Sequence, residues 1–566
     1  MTSKNAFLPT TKDEMDALGW DRCDVIIVTG DSYIDSPFIG TAVVGRLLEY
    51  WGYRVGVIAQ PDISSDKDIT RLGEPKLFWG VNGGSVDSMV ANYTASKKFR
   101  KSDDYTPGGA NTKRVDRACI AYTNLIRQHF KHTAPIVLGG IEASLRRVSH
   151  YDFWGDNIRK PILFDAKADF LIYGMGENAL KELASALRKG VSPSDVKGVC
   201  YISKEPKEGY IQLPSHDEIL QNREKYMELF DEFYKNNDPL NAKGLCERVD
   251  ARFLVQNPPN AYATSEELDI YAALNYQRAQ HPYYEAMGKV KCLETIKFAL
   301  STHQGCWGEC NFCAITVHQG RTIRSRSSEG ILKEIKQFRE YKDFKGVVHD
   351  LGGASANMYG YECEKKLKSG ACKNRRCADY EGVCGSMAVN HKPLLDLMCK
   401  SRDIEGVKKT VVASGVRYDL INKDKKFGLP YLRELVKNHV SGQMKVAPEH
   451  TDDKILRLMG KPPKNELLSF KKLFDTLNAE EGKKQFLTYY FIAAHPGCEA
   501  GDMRSLKTFV NKELKLNPEQ VQIFTPTPGT YSSAMYYSGL DFKSKKRIFV
   551  ERDTNAKERQ KSTLTE

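Results

Sequence analysis

ETIKFALSTHQGCWGECNFCAI, residues 294–315, joins two signals. Its first nine residues (294–302) read as a strand, an apolar and β-favouring run that ends in small polar residues. Gly305 then opens a loop that carries Cys306, Cys310 and Cys313, spaced C-x3-C-x2-C. A structural zinc takes four ligands, and a disulfide takes two cysteines. Three thiols on one loop suit a [4Fe–4S] cluster, with three irons held by the protein and the fourth open to a ligand. The competing reading is a zinc site whose fourth ligand lies elsewhere in the chain.

Downstream, the strand-like pattern of 294–302 recurs five times: KGVVHDLGG (345–353), KTVVASGVR (409–417), GQMKVAPEH (442–450), QFLTYYFIAAHPG (485–497) and VQIFTPTPG (521–529). Each run ends in a turn, and most are followed by a helical stretch. Six such units over 291–541 predict a partial (β/α)6 TIM-type barrel. That fold carries its chemistry at the C-terminal ends of the strands. The candidates there are Gly352 and Gly353 after the second run, Ser414 and Arg417 after the third, and Lys445, Glu449 and His450 after the fourth. His495 and the FTPTPGTY segment (524–531) follow the fifth and sixth.

Upstream, DVIIVTG (24–30), RVGVIAQ (54–60), APIVLGG (134–140) and FLIYGMG (170–176) are apolar runs ending at Gly or a polar residue, with helix-like sequence between them. This rhythm predicts a doubly wound α/β domain over 1–200. GMGENA (174–179) matches a short dinucleotide-type pattern, but it lacks the acidic residue on a following strand. It reads as a strand-to-helix turn. Residues 201–290 read as a helical connector, with a helix across 217–236 and a second one capped by Thr264 and Ser265 after the NPP turn. Residues 542–566 read as a basic tail.

Bulk properties narrow the function classes. The 566 residues suffice for two to four domains. No apolar run is long enough for a membrane span, and MTSKNAFLPTTKDEMD has no signal-peptide core. A cytoplasmic protein follows, and in that compartment fourteen cysteines point to metal ligands rather than disulfides. The net charge of +12 and the KSKKR cluster (543–547) permit nucleic acid without requiring it. A solvated surface explains them equally well.

A second cysteine group lies between the second and third barrel strands, in the excursion 358–391. Cys363, Cys372, Cys377 and Cys384 are spaced C-x8-C-x4-C-x6-C among Lys and Arg residues. They predict zinc or a second iron–sulfur cluster, with His391 a substitute ligand. The competing reading is a set of reduced or redox-regulated thiols.

The C-x3-C-x2-C loop, with the aromatic Phe312 before its last cysteine, resembles the signature of the radical S-adenosylmethionine (SAM) superfamily. The resemblance implies SAM chelated at the open iron, reductive cleavage to a 5′-deoxyadenosyl radical, and hydrogen abstraction from a substrate. It also implies a one-electron donor such as flavodoxin or ferredoxin. By the same resemblance Phe312 lies beside the cofactor. The Gly352 and Gly353 carbonyls approach the SAM amino group, and Ser414, Arg417, Lys445, Glu449 and His450 meet its carboxylate and ribose. The acidic residue usual after the glycines is replaced by Ala354.

More closely, GDSYIDSPFIGTAVVGRLLE (30–49), QNPPNAYATSEELDIYAALNYQRAQHP (256–282), THQGCWGECNFCAI (302–315), DLGGASANMYG (350–360), KVAPEHT (445–451) and FTPTPGTYSSAMYYSGLD (524–541) resemble the YgiQ-type family of radical SAM proteins. That resemblance covers most of the chain. It implies a cobalamin-binding-like domain ahead of the barrel. The Asp-x-His-x-x-Gly cobalamin motif is absent from 1–200, so cobalamin is not expected. Two other classes compete. A methylthiotransferase-like RNA- or protein-modifying enzyme would need three more cluster cysteines, and only the scattered Cys23, Cys119 and Cys200 are on offer. A non-catalytic iron–sulfur protein would not need the polar strand ends. The substrate is not legible.

Overall fold

In the computed structural model, which describes residues 6–566, the chain divides between Lys297 and Phe298 into two units. The first is built on one nine-stranded sheet. Its strands are β1 (Val25–Thr29), β2 (Val55–Ala59), β3 (Phe78–Asn82), β4 (Ile136–Gly139), β5 (Phe170–Ile172), β6 (Val199–Ser203), β7 (Ile211–Gln212), β8 (Leu245–Val249) and β9 (Arg252–Gln256). The order is β7-β8-β9-β6-β5-β4-β3-β1-β2. β1 to β5 are mutually parallel, in the order 2-1-3-4-5. Their crossovers include α1 (Gly40–Tyr50) and α2 (Ala118–His129), and α3 (Glu177–Arg188) follows β5. β1 and β2 are buried along their whole length, as parallel strands covered on both faces must be.

The doubly wound core is as expected, but its boundary is not. Residues 201–290 are not a connector. β6 turns antiparallel onto β5, β9 pairs with β6, and β8 pairs with β9. The β8–β9 hairpin closes on Asp250 and Ala251, with Asp250 at φ +52°. That is the left-handed conformation a two-residue hairpin turn needs and Asp tolerates. The helix expected over 217–236 is α4 (Arg223–Lys235), N-capped by Asn222. Thr264 caps Ser265–Ala272 through a capping box with Glu267. GMGENA is a turn: Gly174 takes φ +74°, and Gly176 leads into α3.

The second unit holds six parallel runs in chain order. They are β10 (Ala299–Ser301), β11 with β12 (Val347–Val348, Asp350–Gly352), β15 (Lys409–Thr410), β16 (Gln443–Glu449), β17 (Phe486–Ala493) and β18 (Gln520–Ile523), with a hairpin of β13 (Ala378–Asp379) and β14 (Gly382–Val383) inserted after the second. β10 pairs with β12, β11 with β15, and β16 with β17 and then β18, all parallel. The third and fourth runs are joined where Val416 N–H donates to Lys445 O at 3.3 Å. The crossover helices α5 (Ser328–Gln337), α6 (Lys392–Arg402), α7 (Gly428–Glu434), α8 (Lys464–Glu480) and α9 (Ala500–Phe509) complete a partial barrel. Ile331, Leu397, Leu432, Phe470 and Leu506, one from each of these helices, share a fully buried core with Val446 and Phe491 of the strands.

Two expectations at the ends of this unit change. Leu293–Ile296 is a helical turn, so the first strand is shorter than its apolar run. The basic tail contains α10 (Thr554–Thr565), whose Leu564 is buried in the barrel core. Gln560 accepts a hydrogen bond from Ala494 N–H at 3.0 Å. No described helix is long and apolar enough to cross a membrane.

Candidate active site

The cysteine loop leaves β10 at Ser301. Thr302 ties it to the second run, donating its N–H and its hydroxyl to Gly352 O at 2.8 and 3.0 Å. Gly305 takes φ +88°, and a side chain there would meet Thr322 O at 2.4 Å. Cys306 N–H donates to Gly320 O, and Thr316 Oγ1 donates to Cys306 O. Asn311 is held twice, by Met459 O through its backbone and by Leu458 O through its side chain, while Ser532 N–H donates to Asn311 O. Glu309 stands at φ +44°, with its carboxylate 2.7 Å from Arg321 Nε. Segments from four parts of the barrel therefore fix the three thiols.

Cys306, Cys310 and Cys313 are half-buried. Burial pushes the thiol of Cys306 up to about 11 and that of Cys313 up to about 12. Among the described residues no three His, Cys, Asp or Glu side chains converge as a single ion requires. Three thiols on one loop are the number a [4Fe–4S] cluster with one open iron takes, on separate irons, whereas a structural zinc takes four ligands.

Around the loop, the strand ends bring together some expected residues and miss others. Ser414 donates its hydroxyl to Asp350, whose carboxylate also accepts from Ala413 N–H at 2.8 Å and Ser414 N–H at 3.1 Å. Burial raises the pKa of Asp350, and its own hydrogen bonds and Lys445 oppose the shift. Glu449 sits where the β16–β17 register shifts, at φ +67°. A bulky residue in that region is strained, and such strain gathers at functional sites. Burial raises its pKa against the ammonium of Lys461, 3.9 Å away. Phe312 packs against the barrel core and edge-on to His495.

Arg417 is placed differently from expectation. Its fork is taken by Asp419, at 3.1 and 2.6 Å, and its Nη1 donates to Gly308 O within the cysteine loop at 3.4 Å. Asn357 holds its backbone at both N–H and C=O. The guanidinium is thus spent on protein groups and does not face outward for a carboxylate. Gly352 is corrected similarly, since Thr302 uses its carbonyl twice. At Gly353 a side chain would meet the His303 ring at 2.4 Å, so this glycine serves close packing. His450 accepts from Asp452 N–H at 3.0 Å and lies 3.8 Å from Cys498 Sγ. His391 bonds Asp424 and Asn357 and stacks on Tyr431, which removes it as a metal ligand.

Sequence reasoning passed over Asp350, Asn357, Asp419, Lys461 and Glu309. The one readable signal was the acidic residue in DLGG, set at the end of an apolar run.

A family model described as Radical SAM N-terminal matches residues 7–299. A UPF0313 protein of Fusobacterium nucleatum subsp. nucleatum is 54% identical over 561 residues, 99% of both chains. UPF0313 proteins of Thermotoga neapolitana and Clostridium botulinum (strain 657) are 48% and 43% identical, covering 99% of this chain and 98% and 87% of theirs. Among solved structures, the radical S-adenosylmethionine methyltransferase TsrM from Kitasatospora setae, with cobalamin and a [4Fe-4S] cluster bound, aligns at TM-score 0.50 and 13% identity over 90% of this chain and 73% of that one. The cobalamin-dependent S-adenosylmethionine radical enzyme OxsB aligns at 0.51 and 13%, over 91% and 55%. These two likenesses concern the fold.

Proposed function

We propose, for a chain that belongs to the UPF0313 (YgiQ-type) family of radical SAM proteins, that it is an enzyme cleaving SAM reductively to act on a substrate still to be identified. The observation that carries this reading is the loop of Cys306, Cys310 and Cys313, pinned at the C-terminal ends of six parallel strands. A [4Fe–4S] cluster held there would supply one electron, from an external reductant, for reductive cleavage of a SAM carbon–sulfur bond to methionine and the 5′-deoxyadenosyl radical.

The chain's own groups would bind and orient. Asp350, fixed by three hydrogen bonds, offers an acceptor for the SAM ammonium, and Lys445 beside it offers a cation for the carboxylate. Glu449 accepts from ribose hydroxyls, with the ammonium of Lys461 3.9 Å away opposing the effect of its burial. Arg417 is a positioning residue that holds Gly308 between the first two cysteines. Flavodoxin or ferredoxin would fit as the reductant, in a cytoplasmic setting.

Cobalamin has no part in this reading. In a sheet ordered 2-1-3-4-5 ligands enter at the switch point between β1 and β3. There Arg114 donates to Asp31 at 2.7 Å, Asp103 at 2.9 Å and Gly83 O at 3.1 Å, and a side chain at Gly30 would strike Gly83 O at 2.3 Å. These buried ion pairs support leaving cobalamin out of this reading. The methylthiotransferase-like alternative lacks support too. Cys23, Cys119 and Cys200 are each fully buried in separate parts of the first unit.

The test is spectroscopic. SAM added to the anaerobically reconstituted, reduced protein should change the cluster's EPR signal, and Asp350→Asn should need roughly 10-fold or more SAM for the same change. A signal indifferent to SAM in the wild type contradicts the reading.

A further inference from the structure

The excursion between β12 and α6 makes little structure of its own. It has one helix of six residues, Glu364–Ser369, and the two-residue strands β13 and β14. A segment so short of regular structure needs a staple to hold one conformation. Its four cysteines are free thiols, as are all fourteen in the chain, so disulfides do not supply it.

The hairpin sets two of these thiols side by side. Ala378 pairs with Val383 and Asp379 with Gly382, and at the open end Cys384 N–H donates to Cys377 O at 2.9 Å. Cys363 and Cys377 lie against one buried apolar group with Trp307, Met358 and Met387. Cys372 is the exposed member. Cations surround the set. Lys366, buried, points its ammonium at Cys377 Sγ from 3.6 Å, and its other partners are Glu362 at 2.9 Å and Arg321 O at 2.6 Å. Arg321 donates to Cys372 O at 2.9 Å.

One buried donor there has no partner, the indole N–H of Trp307, fully buried in the same apolar group as Cys306, Cys363 and Cys377. An unmade hydrogen bond on a buried donor costs about 1–3 kcal/mol, so it points to a missing acceptor. Four thiols, an unpaired donor and a buried ammonium together describe the cradle of an anionic, sulfur-rich group.

We propose that Cys363, Cys372, Cys377 and Cys384 hold a second iron–sulfur cluster, of the [4Fe–4S] type, beside the loop of Cys306. The inference rests on the same excursion whether or not the first loop cleaves SAM. Zinc is the competing occupant, and the unpaired indole N–H of Trp307 favours a group that brings sulfide acceptors of its own over a bare ion. On ligation each thiol loses its proton, and the cationic groups of Lys366 and Arg321 offset part of the resulting charge.

The test compares full-length variants reconstituted anaerobically with ferrous iron and sulfide. The triple variant Cys306→Ala, Cys310→Ala, Cys313→Ala should keep about half of the wild-type iron and acid-labile sulfide. Its reduced EPR signal should ignore added SAM. The double variant Cys377→Ala, Cys384→Ala should lose that half and keep the SAM-sensitive signal. A folded triple variant that takes up no iron, or one equivalent of zinc in the wild type that only the double variant loses, overturns the proposal. Undiminished iron in the triple variant would instead sink the first-loop reading and leave the second site standing.

Discussion

Arg417 shows how a single residue changes role once its neighbours are known. Read alone, a strand-end arginine in a radical SAM barrel suggests a carboxylate ligand. In the structure it forms a buried pair with Asp419, and its Nη1 reaches Gly308 O. Removing one partner of a buried pair costs about 3–5 kcal/mol, because the other charge is left unpaired. Arg417→Ala should therefore lower the melting temperature sharply and reduce cluster yield, while SAM affinity per loaded cluster stays near wild type. Thermal denaturation beside SAM titration decides it. Unchanged stability with a selective loss of SAM affinity would return Arg417 to the cofactor. The sequence could not reveal this pairing. Both charges lie at the start of one short helix, and only the three-dimensional turn aims them at each other. Asp350 was legible only as an acidic residue at the end of an apolar run, and before two glycines that also reads as a turn.

At the scale of elements, the parallel strands were legible because each is an apolar run that stops at Gly or a polar residue. The antiparallel strands β6, β8 and β9 were not. Leu245–Val249 reads LCERV, with a charge inside the run, and Glu247 of that strand is fully buried. It accepts from Ser149 N–H at 2.9 Å, and burial raises its pKa to about 7. The sign follows from linkage. The folded state holds a proton that the unfolded state releases from about pH 4.5 upward, so stability falls as pH rises from there to about 7. A shift of that size corresponds to about 2–4 kcal/mol. Glu247→Gln should flatten this part of the stability curve for the first unit, as read by denaturant midpoints at pH 5 and pH 7.5. An equal pH dependence in the variant would show that the carboxylate is ionised throughout. α10 was hidden in the tail because its composition is polar and basic. Buried Lys366 and Lys557 sit among partners that composition does not show.

Over the whole molecule, the division between Lys297 and Phe298 separates a sheet that carries the buried Arg114 ion pairs from a barrel that carries the loop of three cysteines. All the residues assigned to cluster and SAM lie in the second unit. The account stands or falls on the loop of Cys306, Cys310 and Cys313. The most direct measurement is the formation of 5′-deoxyadenosine from SAM by the anaerobically reconstituted protein under a strong one-electron reductant. The account predicts its formation in the wild type and its loss in each of Cys306→Ala, Cys310→Ala and Cys313→Ala. A wild type fully loaded with iron and sulfide that forms none, or any one of these variants that still forms it at the wild-type rate, would contradict it.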